Sequence, residues 1–395
     1  MKILGIVAEY NPLHNGHIYH IKESINKVNP DAIVIIMSSS FTQRGEPAIL
    51  DKWTRANHGL RAGGDLVLEL PFRGAVSSAE SFALSALSIL NSIPCTHLSF
   101  GVESLRTEDE IYSKAKKIIE IKNNPRIKEF LKTGLSFHQC ILQLSKEKYN
   151  DHFIQGANDL LALEYGQSAI LLNYPLKLVP ILRKGPIHGS STLSSHFASG
   201  SEIRKRYFKE LPIEEFCPPW VLKDLERNKN IKNYLKWEGL IPYFQLMILK
   251  ELKYENYTGY EVGMENYIKE QILQKEINKP YLKETKRYSK SRLQRYLLHA
   301  LLDIKKEKIR SHDMGGYIRP LAMNQIGREI LREVKRQDKI VITQPARFLK
   351  KGSENIQLLL QEEILATNFY SILARGSFQL DFTHTPIIKT DKVRD

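Results

Sequence analysis

The residues best suited to chemistry in this sequence are two histidines near its start, His14 and His17, which enclose Asn15 and Gly16. They follow an apolar run and a turn that contains Pro12, and the apolar spacing after them predicts a helix. A helix start offers free N–H groups and the positive end of a dipole, and glycine lets the backbone approach a phosphate closely. Imidazoles add hydrogen-bond donors for phosphate oxygens. The pattern therefore predicts a site for a nucleoside triphosphate.

A second candidate phosphate site lies near residue 200, where Ser199, Gly200 and Ser201 precede a helical pattern. Ser199 or Ser201 can cap the first N–H groups of that helix, so that its N-terminus faces the ligand. Arg204, three residues after Ser201, can bind phosphate oxygens through its forked guanidinium. We expect Ser201 and Arg204 to complete the nucleotide site that the histidines begin.

The elements that must position these groups alternate between two patterns in the first half of the chain. Apolar runs predict strands at 3–7, 32–37, 65–70, 96–100 and 176–181. Amphipathic stretches predict helices at about 15–28, 51–63, 77–91, 107–133 and 156–172. This alternation favours the α/β class, with a Rossmann-like doubly wound parallel sheet whose ligands bind beyond the carboxyl ends of the strands. Gly101 and Arg183 come after two of the strands, and Asn158 begins a helix.

The pattern changes after about residue 207. Cys217, Pro218 and Pro219 interrupt the chain, and the residues beyond them have a mostly helical pattern, with one more predicted strand at 339–343. We therefore predict two domains, 1–212 and 213–395, of which the second is mainly α-helical.

Charge indicates the kind of partner. The chain has 58 Lys and Arg against 44 Asp and Glu, a formal net charge of +14, which favours a polyanionic partner. Between residues 283 and 310, ten basic residues stand against three acidic ones, on a helical pattern with a separate apolar stripe. Tyr288 and Tyr296 would supply aromatic faces for bases. The predicted RNA-binding residues are Lys286, Arg287, Lys290, Arg292, Arg295 and, in a later turn, Arg319.

Other features narrow the class of protein. Cys95, Cys140 and Cys217 lie far apart, so the spacing predicts neither a zinc site nor a disulfide framework and is typical of a reducing cytosol. No apolar run reaches the roughly 20 residues that a membrane helix needs. We expect a cytoplasmic protein with no membrane segment and no metal site of its own.

Taken together, five segments resemble the bacterial tRNA(Met) cytidine acetate ligase family, within the H-x-G-H nucleotidyltransferase superfamily. They span residues 5–17, 43–48, 65–71, 199–205 and 286–295, so the resemblance covers nearly the whole chain and includes the basic segment.

The resemblance implies a reaction and the residues that carry it. The reaction is N4-acetylation of the wobble cytidine of elongator tRNA(Met), from ATP and acetate through acetyl-adenylate, with Mg²⁺ expected to accompany ATP. Residues 1–212 would then be the nucleotidyltransferase-like ATP-binding catalytic domain, and residues 213–395 the tRNA-binding domain. His14 and His17 would be catalytic. The implied ATP contacts are Val7, Ala8, Glu9, Tyr10, Asn11, Pro12, Leu13, His14, Asn15, Gly16, His17, Ile18, Tyr19, His20, Gly101, Asn158, Arg183, Ser201 and Arg204.

The implied chemistry agrees with the residue types. Attack of acetate on the α-phosphorus expels pyrophosphate and builds negative charge that His14, His17 and a helix N-terminus can stabilise. The cytidine amine then attacks the activated acetyl carbonyl and AMP departs. Because the sequence has no evident nucleophilic Cys or Ser motif, we favour direct transfer over an acyl-enzyme.

Other functions fit parts of the sequence. A small-metabolite adenylyltransferase, of the pantetheine-phosphate or nicotinate-mononucleotide type, would share the first motif but leave the basic helical half unexplained. A non-catalytic RNA-binding protein on a nucleotide-binding fold would not need intact His14, Gly16 and His17. A class I aminoacyl-tRNA synthetase is disfavoured, because the sequence contains no loop similar to K-M-S-K-S.

Overall fold

A sheet of seven strands forms the centre of the computed structural model, which describes residues 1–133, 135, 137–149, 156–184, 196–250, 252–273, 282–285, 287–306 and 311–389. The strands are β1 (Ile3–Ala8), β2 (Ala32–Ser38), β3 (Leu66–Leu70), β4 (His97–Val102), β5 (Lys177–Leu182), β6 (Pro320–Met323) and β7 (Ile387–Ile388). Their order is β5-β4-β1-β2-β3-β6-β7. The first five strands along the chain pair in parallel, β6 runs antiparallel to β3, and β7 is parallel to β6.

Helices cover both faces of the sheet and build most of the C-terminal half. Within the described residues they are α1 (Asn15–Val28), α2 (Lys52–Arg61), α3 (Phe72–Ala75), α4 (Ala79–Leu90), α5 (Glu108–Lys122), α6 (Arg126–Lys132), α7 (Phe137–Tyr149), α8 (Ala157–Leu171), α9 (Gly200–Phe208), α10 (Pro219–Arg227), α11 (Ile241–Leu249), α12 (Met264–Ile272), α13 (Lys290–Leu301), α14 (Gln325–Arg336), α15 (Pro345–Lys351), α16 (Glu354–Leu373) and α17 (Leu380–Thr383). Short 3₁₀ helices occupy Lys229–Ile231, Trp237–Leu240, Tyr254–Asn256 and Ser311–Gly316.

The predicted α/β class and parallel sheet are confirmed, with two differences. The helix predicted over 107–133 ends at Lys122 and resumes at Arg126, because Pro125 disfavours helical backbone in the residue before it. The strand predicted at 339–343 is wrong, since only Val341 makes a bridge there, with Ile318. The C-terminal part instead enters the sheet as β6.

The apolar strands are buried because both faces of the sheet are covered. Along β2, Ala32, Val34 and Ile36 belong to one core, and Ile33 and Ile35 belong to the core on the other face.

A third core joins the helical half to the sheet. Phe41 and Phe72 from the N-terminal half pack there with Phe244, Tyr296 and Phe369 from the C-terminal half. The division between residues 212 and 213 stays a prediction. The chain beyond it returns to the sheet as β6 and β7, so the two halves share structure.

A buried cluster of charges ties the C-terminal helices to the sheet. Nζ of Lys52 lies 2.6 Å from Glu69, 2.8 Å from Glu363 and 2.7 Å from Asp381. The Arg319 guanidinium lies 3.0 Å from Glu69 and 2.7 Å from Asp381. The prediction that Arg319 contacts RNA is therefore corrected: its side chain is only 4% exposed and already holds two carboxylates.

The charges in this cluster shift the pKa values of two carboxyl groups in opposite directions. Burial and then repulsion from Glu69 raise the pKa of Glu363 to about 7. Burial also acts to raise the pKa of Asp381, but Lys52 and Arg319 outweigh it and lower that pKa to about 2. Lys52 is thus the cation on which three carboxylates depend.

We predict that Lys52→Met lowers the free energy of unfolding by about 3–5 kcal/mol, because it removes the cation that Glu363 contacts and leaves Glu69 and Asp381 to Arg319. Urea denaturation followed by circular dichroism measures the change. The control is Lys205→Met, which removes a half-exposed lysine paired with Glu202 and should change the free energy by less than about 0.5 kcal/mol. Equal urea midpoints for the two variants would contradict this account of the cluster.

Candidate active site

The turn after β1 holds the two histidines in fixed positions. The side chain of His14 caps α1: its Nδ1 accepts from the N–H of Gly16 at 3.1 Å. In return, Nδ1 of His17 accepts from the N–H of His14 at 3.2 Å. The two imidazole rings stack with centroids 3.8 Å apart, and Tyr10 meets His17 edge-on at 5.0 Å. The backbone of the turn thus fixes both rings.

These hydrogen bonds also determine where the imidazole protons are. Since Nδ1 of each ring accepts a backbone N–H, we assign the ring proton to Nε2, so each ring is a donor at that atom. The pKa of His17 is lowered well below its usual value, first by burial and then by the charges of His14, His20 and Arg183. His17 is therefore a neutral donor near pH 7, which suits an oxygen that gains negative charge.

A cleft opens beside the histidines, beyond the carboxyl ends of β1, β4 and β5. It lies where the strand order reverses between β1 and β4, the position at which doubly wound sheets bind ligands. Nine of the predicted ATP contacts line it: Val7, His14, Gly16, His17, Tyr19, His20, Gly101, Asn158 and Arg183. Residues implied by the histidine motif and by the family resemblance therefore make up about half of the cleft lining.

The rest of the cleft lining was not predicted. Its residues are Phe100, Leu161, Tyr165, Ile181, Leu182, Lys184, Phe197 and Ala198. Mostly apolar and aromatic, these side chains suit the faces of a purine base. The one signal for part of it is position, since Phe100 and Ile181 stand at the carboxyl ends of strands.

Arg183 crosses the floor of the cleft because Gly101 leaves room for it. A Cβ on Gly101 would stand 3.2 Å from Cγ of Arg183. The guanidinium donates to Oδ1 of Asn158 at 3.4 Å, and the Asn158 amide is held by the Glu103 carboxylate. Burial lowers the pKa of Arg183, and the charge of Glu103 opposes that shift. The pair offers a cation and an amide to a bound nucleotide.

Ten predicted ATP contacts lie outside the lining of the cleft: Ala8, Glu9, Tyr10, Asn11, Pro12, Leu13, Asn15, Ile18, Ser201 and Arg204. Several of them build the turn instead. Oδ1 of Asn11 accepts from the N–H of Ile49 at 2.9 Å, and the amide of Asn15 donates to the carbonyl of Glu215 at 2.8 Å. Contact of these ten residues with ATP stays a prediction.

The serine motif at residues 199–201 lies next to the histidine turn. Oγ of Ser199 caps α9 by accepting from the N–H of Glu202 at 3.2 Å. A Cβ on Gly200 would lie 3.8 Å from Cδ2 of His14, so α9 begins beside the histidine turn. Oγ of Ser201 lies 3.0 Å from Oγ of Ser199.

Arg204 braces the histidine turn from α9. Its guanidinium donates to the carbonyl of Asn11 at 2.9 Å and to the carboxylate of Glu46 at 3.0 Å.

The loop between β2 and α2, residues 39–51, connects this site to the basic helix α13. The guanidinium of Arg295 donates to the carbonyl of Gln43 at 3.3 Å, and a Cβ on Gly45 would stand 3.0 Å from the backbone N of Arg295. Burial, and then the charges of Arg292 and Arg44, lower the pKa of Arg295 to about 10. Arg295 therefore lies between the two predicted sites.

The other predicted RNA-binding residues differ from Arg295 in their surroundings. Arg287 and Arg292 both pair with Glu261, and Lys290 begins α13. Lys286 and the stretch 185–195 lie outside the described residues. Tyr288 and Tyr296 do not present stacking faces, because both rings are buried in the third core.

Two other kinds of feature are missing from the described ranges. Within them, no group of three or more His, Cys, Asp or Glu residues is placed to hold a metal ion. No helix in the same ranges is long and apolar enough to cross a membrane.

Comparison with known proteins decides the family. The sequence profile of the HIGH Nucleotidyl Transferase family matches residues 1–383. The tRNA(Met) cytidine acetate ligase of Thermoanaerobacter sp. (strain X514) is 33% identical, over 98% of this chain and 100% of that protein. The protein of the same name from Caldanaerobacter subterraneus subsp. tengcongensis is 34% identical over the same shares. This chain belongs to the tRNA(Met) cytidine acetate ligase family.

Solved structures agree with this membership of the ligase family. Thermotoga maritima TmcAL in its apo form superposes with a TM-score of 0.86 at 28% identity, covering 99% of this chain and 100% of that one. Thermotoga maritima TmcAL bound with alpha-thio ATP gives a TM-score of 0.81 at the same identity and coverage.

We predict that His17→Ala slows acetate-dependent exchange of labelled pyrophosphate into ATP by about 10²–10³-fold, because a donor to the developing phosphate charge is lost. Circular dichroism should show a folded protein. The control is His384→Ala, which removes an exposed imidazole stacked on Trp53 outside the cleft and should leave exchange within twofold of wild type. Near-normal exchange by folded His17→Ala would contradict the assigned role.

Proposed function

We propose that this protein activates acetate with ATP to acetyl-adenylate and transfers the acetyl group to N4 of the wobble cytidine of elongator tRNA(Met), forming N4-acetylcytidine. The observation that carries the proposal is the match over the whole chain. Relatives named tRNA(Met) cytidine acetate ligase align with 98% of it, and a structure holding an ATP analogue superposes on 99% of it. The proposed place of action is the cytoplasm, where the tRNA substrate occurs.

The first step uses the histidine side of the cleft. The carboxylate of acetate attacks the α-phosphorus, a P–O bond forms, and pyrophosphate leaves. His14 and His17 donate from Nε2 to the oxygens that gain charge, and the N-terminus of α1 adds its dipole. Mg²⁺, when bound with ATP, would neutralise the β- and γ-phosphates.

The second step is direct transfer to the cytidine amine. An acyl-enzyme would need a nucleophile such as a thiolate, and all three cysteines are buried. Burial raises the pKa of Cys95 and of Cys217 to about 12, so neither is a thiolate near pH 7. The amine nitrogen therefore attacks the acetyl carbonyl of the adenylate itself, and AMP leaves.

The tRNA side of the proposal rests on α13 and the segment before it. We propose that Lys286, Arg287, Lys290, Arg292 and Arg295 contact the tRNA. The ion pairs of Arg287 and Arg292 with Glu261 are partly exposed to solvent, and exposed pairs are weak. Both guanidinium groups can therefore exchange Glu261 for RNA phosphates.

We predict that activation runs without RNA, because acetate is the nucleophile of the first step. Labelled pyrophosphate should exchange into ATP when acetate and a divalent cation are present. Added tRNA with a cytidine at the wobble position should then release AMP and gain one acetyl mass at that base, measured by nucleoside mass spectrometry. Exchange supported by phosphopantetheine or nicotinate mononucleotide, and not by acetate, would favour a metabolite adenylyltransferase. Binding of tRNA with no exchange would favour an RNA-binding protein.

We predict that the double variant Arg287→Glu with Arg292→Glu weakens tRNA binding and reduces the slope of log K against log salt by about 1.4–1.8, because two phosphate contacts are lost. Filter binding at several salt concentrations measures this slope. The charge-matched control is Arg126→Glu with Lys148→Glu, two basic residues whose side chains are about half exposed in ion pairs away from α13. If both double variants bind alike, α13 is not the RNA surface.

A further inference from the structure

Glu9 comes directly after β1, two residues beyond Val7 of the cleft lining. Glu9 itself is half-buried and lies outside that lining. Its charge contributes to raising the pKa of Tyr165, a residue of the cleft lining, after the larger effect of burial. The carboxylate therefore lies within electrostatic range of the cleft.

The opposite side of Glu9 faces the loop that leads to the basic helix. Its Oε1 accepts from the N–H of Gln43 at 2.6 Å, and the carbonyl of Gln43 accepts from Arg295 at 3.3 Å. Among the described residues, Oε2 of Glu9 accepts no hydrogen bond from a protein group. One oxygen thus orients the carboxylate, and the other remains for a substrate.

We propose that Glu9 is the general base of the transfer step, accepting a proton from the exocyclic amine of the RNA base that receives the acetyl group. The proposal rests on the proposed function and adds a catalytic residue to its second step. The contacts that carry it are the hydrogen bond from the N–H of Gln43 to Oε1 of Glu9 and the bond from Arg295 of α13 to the carbonyl of Gln43.

Atoms and electrons balance in this step. The amine nitrogen attacks the acetyl carbonyl carbon, and a C–N bond forms. Oε2 of Glu9 takes one N–H proton, so the nitrogen does not carry a positive charge in the product. The C–O bond to the AMP phosphate breaks and its electron pair leaves with AMP. The proton on Glu9 then passes to solvent, which restores the carboxylate.

The electrostatic surroundings of Glu9 suit a base. Burial raises the pKa of Glu9, and the charges of Arg204 and Arg44 oppose that rise. The titratable and charged groups around it, from the loop, α2, α8 and α9, are Arg44, Glu46, Arg55, Tyr165 and Arg204. Glu9 is thus held with a proton affinity above that of a solvated carboxylate, and Arg44 and Arg204 favour its ionised form at neutral pH.

Glu9→Gln tests the proposal, because glutamine keeps an oxygen for the N–H of Gln43 and cannot take the proton. Single-turnover transfer from synthetic acetyl-adenylate to unmodified tRNA should fall at least about 100-fold, the lower range for a general base. The loss should appear in kcat with little change in the KM for tRNA. Acetate-dependent pyrophosphate exchange should fall far less. Wild-type transfer should rise with pH through the pKa of Glu9, and transfer by the variant should be independent of pH over that range.

The matched control is Glu164→Gln on α8, a carboxyl whose pKa is also raised by burial but which is paired with Lys122. It should keep the transfer rate and the pH profile of the wild type. Glu9→Asp should recover part of the rate with its pH dependence. Transfer by Glu9→Gln within threefold of wild type, or equal losses of exchange and transfer, would overturn the proposal. Failure of the wild type to use acetate would instead refute the proposed function.

Discussion

The guanidinium of Arg55 joins the end of β1, which leads into the histidine turn, to the end of β2, which leads into the loop 39–51. It is fully buried and donates to the carbonyl of Glu9 at 2.8 Å, after β1, and to that of Ser38 at 3.0 Å, at the end of β2. It also donates to the carbonyls of Ser39 and Leu50 at the two ends of the next loop. A buried cation persists only when its donors are satisfied, and here backbone carbonyls satisfy them. The histidine turn and the loop therefore have one common support.

The helix that contains Arg55, α2, also contacts the C-terminal half of the chain. Lys52 lies one turn before Arg55 on α2 and holds carboxylates from β3, α16 and α17. In the loop before α2, the carboxylate of Glu46 accepts a hydrogen bond from Arg204, and the carbonyl of Gln43 accepts one from Arg295. The cleft and α13, the proposed RNA surface, are thus connected through residues 39–51, although the residues proposed for each substrate come from opposite halves of the sequence. An acetyl-adenylate formed in the cleft would be presented next to this proposed RNA surface.

Sequence alone could predict the sheet and the histidine turn, because both depend on local patterns. Apolar runs long enough to cross a buried sheet identified β1 to β5, and H-x-G-H placed the N-terminus of α1. β6 escaped prediction because it is four residues long, begins with Pro320 and is stabilised by pairing with β3. Arg319 was assigned to RNA because its partners Glu69 and Asp381 are 250 and 62 residues away in the sequence.

The aromatic part of the cleft lining shows a second limit of the same kind. Apolar periodicity does not separate a ring that faces a ligand from one that faces the core. Phe197 and Tyr296 therefore look alike in the sequence, yet the first is half-buried and lines the cleft and the second is fully buried among helices. Contacts between distant segments decide such cases, and these became visible only in the folded chain.

The central claim is that acetate is activated by forming a bond to the α-phosphorus before the amine attacks. Transfer with acetate labelled with ¹⁸O in both oxygens tests it most directly, with AMP and pyrophosphate analysed by mass spectrometry after one turnover on tRNA. The account predicts one ¹⁸O in AMP for every acetyl group transferred, and none in pyrophosphate. Unlabelled AMP, or label in a product of the β- or γ-phosphate, would contradict it.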